Sequence, residues 1–227
     1  MIIGSGMVAG ACRKLAGWDK DVLFASGVSN SSEKDEELFR RELMLVAEGM
    51  KSVNGQGSFI YFSTTSIFDV SKSESPYILH KLRIEKIIRD SGLPHMIVRL
   101  PNLVGHSNNP NTLTNYFAQR IRSGKSIRLY SNAKRHLIDV DDLADILGEL
   151  RKRYGHGSLT VNVNTDRPLT PREILSWLEE AIGMKAVIAS EVETGYGELP
   201  VSDSSASFVW NTPEYYHRDL MRKYYSQ

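Results

Sequence analysis

Short apolar runs alternate with helix-patterned stretches along the whole chain, and this alternation constrains the fold more than any other feature. Strands separated by helical crossovers lie parallel and are covered by helix layers, which is the α/β layered class. Met1–Ile3 runs as a very short strand into Gly4-Ser5-Gly6-Met7-Val8-Ala9-Gly10, and a helix follows to about Ala16. Val22–Ser26, Ser58–Phe62 and His95–Leu100 read as the next strands. Between them, Phe39, Leu43, Val46 and Met50 recur at three- and four-residue spacing behind the acidic start at residues 33–37. That is an amphipathic helix whose first turn suits the positive end of its dipole. Tyr77 to Asp90 repeats the pattern, with Leu82, Ile84, Ile87 and Ile88 inward and Gly92 and Pro94 as the stop.

The second half changes character. Thr112–Arg122 and Asp141–Tyr154 read as helices, and Ile127–Tyr130, Leu159–Asn164 and Lys185–Ser190 as strands. Thr170-Pro171-Arg172-Glu173 is a strong helix start, with Thr as cap, Pro in the first position and Glu three residues after the cap. That helix ends near Gly183, Glu191–Ser207 reads as loop, and a terminal helix starts at Asn211-Thr212-Pro213 and runs to about Tyr225.

A length of 227 residues allows one large domain or a domain with a lobe, and a net charge of +1 argues against a general nucleic-acid or acidic-membrane binder. Cys12 stands alone, so no intramolecular disulfide forms, and among small apolar neighbours it reads as a buried structural thiol. No apolar run reaches the ~18 residues of a membrane span. Met-Ile-Ile-Gly lacks the charged and apolar regions of a signal peptide. A cytoplasmic location is expected, with no metal site, nucleic acid or membrane partner.

Tyr77-Ile-Leu-His-Lys81 carries the chemistry. Residues four apart share a helix face, so a phenol and an ammonium can meet over one substrate. A neighbouring Lys⁺ favours the phenolate and lowers the phenol's pKa from about 10, giving an acid/base that works near neutral pH. Alone, the spacing equally describes a solvated helix face. Gly4-x-Gly6-x-x-x-Gly10, directly after a strand, is either a tight strand-to-helix turn or a cradle for a pyrophosphate on a helix N-terminus. Ser63-Thr64-Thr65-Ser66 ends the third strand, where ligands bind in open α/β sheets. These hydroxyls could equally cap a loop.

In this order, the Gly-rich turn, the Ser-Thr segment and Tyr77-x-x-x-Lys81 resemble the short-chain dehydrogenase/reductase superfamily. Further segments resemble its extended branch, the NAD-dependent epimerase/dehydratase family acting on nucleotide sugars. Ser63-Thr64-Thr65-Ser66-Ile67-Phe68 is similar to that branch's Ser-(Ser/Thr)-x-x-Val-Tyr, and Ser-Pro-Tyr77-x-x-x-Lys81-x-x-x-Glu85 to its active-site helix. Val98-Arg99-Leu-Pro-Asn102-Leu-Val-Gly105 and Arg135-His-Leu-Ile-Asp139-Val140-Asp141-Asp142-Leu143-Ala144 resemble its two later motifs.

The resemblance implies a Rossmann-like, doubly wound, mostly parallel sheet, truncated, with a small C-terminal substrate-binding lobe. Residues 1–104 would form the cofactor-binding and catalytic core, and residues 105–227 a mixed core and substrate-binding lobe, within one structural domain. It implies a catalytic set of Thr64, Tyr77 and Lys81. NAD or NADP would be bound through Gly4, Gly6, Met7, Gly10, Ser26, Gly27, Ser63 and Lys81. A nucleotide-sugar substrate would be bound through Thr65, Asn102 and Arg135. Asn102 could instead cap its loop, and Arg135 could pair with Asp139 or Asp141. Family members often dimerise through the helices that here span 37–50 and 78–90, whose apolar faces could equally be core.

Two departures follow. Only about a dozen residues separate Gly10 from Val22, where the family carries two more strand–helix units and an acidic residue for the adenosine ribose. The adenosine half would then be shallow or absent, and NAD cannot be distinguished from NADP by charge. Second, Thr65 and Ser66 stand where the family's dehydratases use Asp-Glu, which disfavours dehydration and leaves 4-keto reduction or epimerisation. The alternative is a non-catalytic nucleotide-sugar or dinucleotide-binding protein that retains the fold.

Overall fold

A computed structural model describes residues 1–69, 72–193 and 205–226. In chain order the strands are β1 (Ile2–Ile3), β2 (Val22–Phe24), β3 (Phe59–Thr64), β4 (His95–Leu100), β5 (Asn102–Val104), β6 (Ile127–Tyr130), β7 (Leu137–Asp139), β8 (Leu159–Thr165), β9 (Ile188–Val192) and β10 (Ala206–Trp210). The α-helices are α1 (Met7–Cys12), α2 (Glu36–Lys51), α3 (Pro76–Asp90), α4 (Leu113–Arg122), α5 (Leu143–Tyr154), α6 (Pro171–Ile182) and α7 (Tyr216–Tyr225). One sheet takes the order β1-β2-β3-β4-β8-β10, with every pairing parallel. The architecture is Rossmann-like α/β.

Both faces of the sheet are covered, so its central strands are apolar almost throughout. Successive side chains point to opposite faces. Phe59 and Tyr61 of β3 therefore pack with Val46 of α2 and Ile84 and Ile88 of α3. Ile60 and Phe62 pack with Ala11 and Cys12 of α1 and Leu143, Ile146 and Leu147 of α5. A separate core in the second half joins α4, α6, α7 and β6 through Phe117, Ile121, Ile127, Leu175, Leu178 and Met221. Beside it lie two small parallel pairs, β5–β7 and β6–β9.

The sheet order reveals where the chain is short. β1, β2, β3 and β4 step across the sheet in one direction, yet α1 lies on the face opposite α2 and α3. The β1–α1–β2 crossover therefore has the hand opposite to the next two, which parallel crossovers almost never show. The two strand–helix units that the resemblance leads one to expect between α1 and β2 would remove this reversal, since the chain would leave on one face and return on the other. β1 is left as an edge strand.

Three elements differ from the sequence reading. α1 stops at Cys12 and not at Ala16, because Arg13 and Lys14 N–H bond back three residues to Gly10 and Ala11, and Gly17 turns the chain at φ +76°. The Glu191–Ser207 stretch read as loop borders β10, an edge strand on β8, and its residues 194–204 lie outside the described residues. Phe208 of β10 is buried and Ala206 and Trp210 half-buried, while Ser207 and Val209 are exposed, so its Ser-rich approach masked a half-covered strand. The last predicted strand sits at Ile188–Val192 and joins β6, apart from the main sheet. The Thr170 capping box forms as read, and Gly183 closes α6 in the left-handed conformation.

Candidate active site

A cleft of about 1870 Å³ opens over the carboxyl ends of β1, β2, β3, β4 and β8, where open α/β sheets bind ligands. Gly6, Met7, Gly10, Gly27, Ser63, Thr64, Thr65, Tyr77, Lys81, Asn102 and Arg135 line it, whereas Gly4 and Ser26 do not. Gly4 makes the turn itself: its φ is +131°, and a Cβ there would stand 2.4 Å from the Ala25 carbonyl oxygen. Gly6 faces open space.

Local capping places Tyr77 and Lys81. The Ser75 hydroxyl accepts from Ile78 N–H, and Pro76 occupies the first turn of α3, so the helix starts one residue before Tyr77. Tyr77, Ile78, Lys81, Ile84, Glu85 and Ile88 then form its buried stripe. On β3, the Thr64 hydroxyl accepts from Ser66 N–H at 3.0 Å and caps the short helical turn 65–68. The same hydroxyl hydrogen-bonds the Tyr77 phenol. The one Thr64 hydroxyl thus both caps the turn and reaches the phenol.

Lys81 departs from expectation. Its ammonium is buried, 2.9 Å from Glu42 Oε1 and 3.2 Å from the Tyr61 hydroxyl, and lies 5.7 Å from the Tyr77 ring centre. Burial pushes Lys81 down, against the Glu42 and Glu85 charges. The Tyr77 phenol is not lowered but raised: burial dominates, the Thr64 hydrogen bond opposes it, and the Glu42 charge adds to it. Burial would also raise the Glu42 carboxyl, but the His80 hydrogen bond, the Lys81 charge and the Val28 amide hold it at about 2.

Beneath this pair lies a second one. Arg99 is 1% exposed, and its Nη2 meets Glu85 Oε2 at 2.6 Å and its Nη1 meets Asn162 Oδ1 at 3.3 Å. Ser63 donates to Glu85 at 2.6 Å, so its hydroxyl is engaged inside the protein although the residue borders the cleft. Asn102 ties its loop to the His136 carbonyl at 3.3 Å. Arg135 stands 3.5 Å from Asp69, and not beside Asp139 or Asp141 as its alternative reading had it. Lys72, lowered by burial and by Arg135, completes a cationic end of the cleft.

Glu42, Tyr61, Asp69 and Lys72 were not singled out in the sequence. Glu42 carried a signal: it lies three residues after Phe39 and four before Val46, on the inward stripe of α2. A carboxylate in a core register is almost never buried without a partner.

The model of the NAD-dependent epimerase/dehydratase family matches residues 21–163. The chain belongs to this family. The match begins after the Gly-rich turn and includes the segments around Thr64, Tyr77, Asn102 and Arg135. No curated protein sequence matches the chain. Among solved structures it is similar to a UDP-glucose-4-epimerase from Stenotrophomonas maltophila with bound NAD and formylated UDP-arabinopyranose (TM-score 0.65, 15% identity, 98% of this chain and 81% of that one). It is also similar to the UDP-N-acetylglucosamine 4-epimerase of Methanobrevibacter ruminantium in complex with UDP-N-acetylmuramic acid (TM-score 0.64, 15% identity, 90% and 74%). RMD from Pseudomonas aeruginosa complexed with NADPH aligns at TM-score 0.61 and 15% identity, over 97% of this chain and 85% of that one. At such identities the likeness shows the fold. Among the described residues no helix is long and apolar enough to cross a membrane.

Proposed function

We propose that this family member is an NAD(P)-dependent oxidoreductase of a nucleotide-activated sugar, carrying out 4-keto reduction or epimerisation through Thr64, Tyr77 and Lys81. One observation carries the reading: the end of β3 and the buried face of α3 deliver these three side chains to the floor of one cleft. The cleft is larger than the ~300–1,000 Å³ of a single small-molecule pocket, which leaves room for a cofactor beside a substrate.

The residues present fit the pyrophosphate and nicotinamide half of a dinucleotide. Gly4 turns the chain sharply, Gly6 leaves the approach to α1 open, and Gly27 and Lys81 border the same cleft. Nothing pairs with β1 on its outer side among the described residues, so the adenosine half has little protein to rest on. When bound, the nicotinamide supplies or accepts hydride. Tyr77 gives its proton to, or takes one from, the sugar oxygen, and Thr64 holds that oxygen by a hydrogen bond. Arg135 and Lys72 hold the substrate diphosphate at the cationic end, and Asn102 and Thr65 border the sugar. Thr65 and Ser66, in place of two acids, favour reduction or epimerisation over dehydration. Leu38 and Met44 on α2 and Leu79 and Leu82 on α3 are exposed, and a homodimer through these helices would cover them. The lobe beginning near residue 105 would choose the sugar.

The open edge at β1 favours a second reading, a binding protein without turnover. Isothermal titration with NADH, NADPH and UDP- or dTDP-sugars separates the two. Binding of a reduced dinucleotide is expected. Binding of the nucleotide sugar without either dinucleotide would overturn the enzyme reading.

A further inference from the structure

Glu42 is buried to 1% exposure, and both its oxygens are fully engaged. Oε1 accepts from Lys81 Nζ at 2.9 Å and from the Tyr61 hydroxyl at 2.8 Å. Oε2 accepts from Val28 N–H at 2.7 Å and lies 3.1 Å from His80 Nε2. The carboxylate thereby joins β3, α3 and the loop after β2. That loop closes tightly on the pair: a Cβ on Gly27 would stand 2.8 Å from Lys81 Nζ and 2.9 Å from Glu42 Oε1. Burying two charges costs several kcal/mol each unless geometry and extra hydrogen bonds offset it. A merely structural site needs no such arrangement directly behind a phenol.

We infer that Glu42 is a positioning residue that sets the direction of the centre: its carboxylate cancels the Lys81 charge and keeps Tyr77 protonated, so the resting site donates a proton to a keto sugar. This deepens the acid–base reading of Tyr77 and rests on it. In the step it favours, the carbonyl oxygen takes the Tyr77 proton as the carbonyl carbon accepts hydride from a reduced nicotinamide. The phenolate left on Tyr77 is reprotonated from water, and the alcohol leaves with the oxidised nicotinamide. Epimerisation would have to begin with a Tyr77 base, which this charge arrangement opposes.

The other groups around the phenol support the assignment. On its own helix lie Lys81, His80 and Glu85; β3 contributes Tyr61 and the Thr64 hydroxyl; α2 contributes Glu42; β4 contributes Arg99. Glu85 is neutralised by Arg99 at 2.6 Å, and His80 faces Glu42. With those charges paired, the Glu42–Lys81 balance is the charge that Tyr77 faces, beside the burial that raises it.

The test reads Tyr77 directly. The phenolate absorbance of each protein, minus that of its Tyr77→Phe counterpart, isolates Tyr77 in an alkaline titration without cofactor or turnover. Glu42→Gln removes the anion beside the phenol and is expected to lower the Tyr77 midpoint by about 1–3 pH units. In turnover, the alkaline limb of keto reduction should fall by the same amount. Glu42→Asp, which retains the charge, should restore the parental midpoint. Should Glu42→Gln fail to fold, Glu42→Gln/Lys81→Met removes the same anion without burying an ammonium and should lower the midpoint too, because Lys81 sheds its proton before Tyr77 does. A midpoint that does not fall in whichever of these variants folds overturns the inference. Turnover that survives Tyr77→Phe would instead overturn the acid–base reading itself.

Discussion

The Lys81 ammonium and the Glu42 carboxylate meet at 2.9 Å in a site closed to solvent, and Tyr77 stands beside them as a neutral phenol. The Tyr-x-x-x-Lys spacing alone predicts the reverse, a phenol made acidic by a nearby cation. The difference comes from one side chain on another helix. An ion pair presents a dipole to its surroundings where a lone ammonium presents a charge, and burial then decides the sign of the Tyr77 shift.

Removal of the phenol should stop the chemistry and spare the fold. Tyr77→Phe deletes only the hydroxyl, whose described partner is the Thr64 hydroxyl. Turnover should fall by about 10²–10⁴-fold, the usual contribution of a positioned acid/base. Thermal unfolding should stay close to the parent, and the two measurements together separate chemistry from stability.

Arg99 answers the opposite test. It lies in a motif that the family resemblance ties to substrate, yet it is buried against Glu85 and Asn162. Arg99→Met leaves the Glu85 charge inside the protein with only the half-exposed Arg89 at 3.1 Å to offset it. Breaking such a pair costs about 3–5 kcal/mol. Denaturant unfolding should show that loss, and a variant as stable as the parent would refute the structural assignment.

The Gly-rich turn separates into two roles. Gly4→Ala places a Cβ 2.4 Å from the Ala25 carbonyl oxygen at φ +131°, and strain of that kind costs about 1–3 kcal/mol. Gly6→Ala meets nothing within 4 Å. It should leave stability within about 0.5 kcal/mol of the parent, yet weaken NAD(P)H binding, because the methyl would stand where the pyrophosphate approaches. Unfolding curves and dinucleotide titrations of the two variants check the division.

A pH dependence should arise at a residue that does not line the cleft. His217 of α7 stacks on Trp177 and meets the edge of Tyr216, and its Nε2 has no hydrogen-bond partner among the described residues. Burial, reinforced by the Arg167 charge, lowers its pKa from 6.5 to about 4. Between these values the unfolded chain binds a proton that the folded chain does not, so stability falls as pH drops from 6.5 to 4. The loss should reach at most about 3 kcal/mol. His217→Phe should flatten that part of the stability profile in denaturant unfolding at pH 7 and pH 5.

The sequence by itself determined the strands of the sheet's centre, the helices bearing Glu42 and Tyr77, and the α6 capping box. Each of these is encoded locally, in residue period and in the residues that satisfy helix ends. It also determined that the chain between Gly10 and Val22 is too short for two strand–helix units. The short strands β5 and β7 were not legible because three residues carry too little period to read, and the edge strand β10 because its approach is Ser-rich and exposed Val209 breaks the alternation. Nor could the sequence show that α1 and α2 lie on opposite faces, so that the first crossover reverses its hand. Above all, only the tertiary structure decided which charges meet. Glu42 and Lys81 are separated by 39 positions, and nothing local to either predicts that folding buries them 2.9 Å apart. A titrating side chain takes its character from the neighbours that fold around it, and those neighbours come from distant parts of the chain.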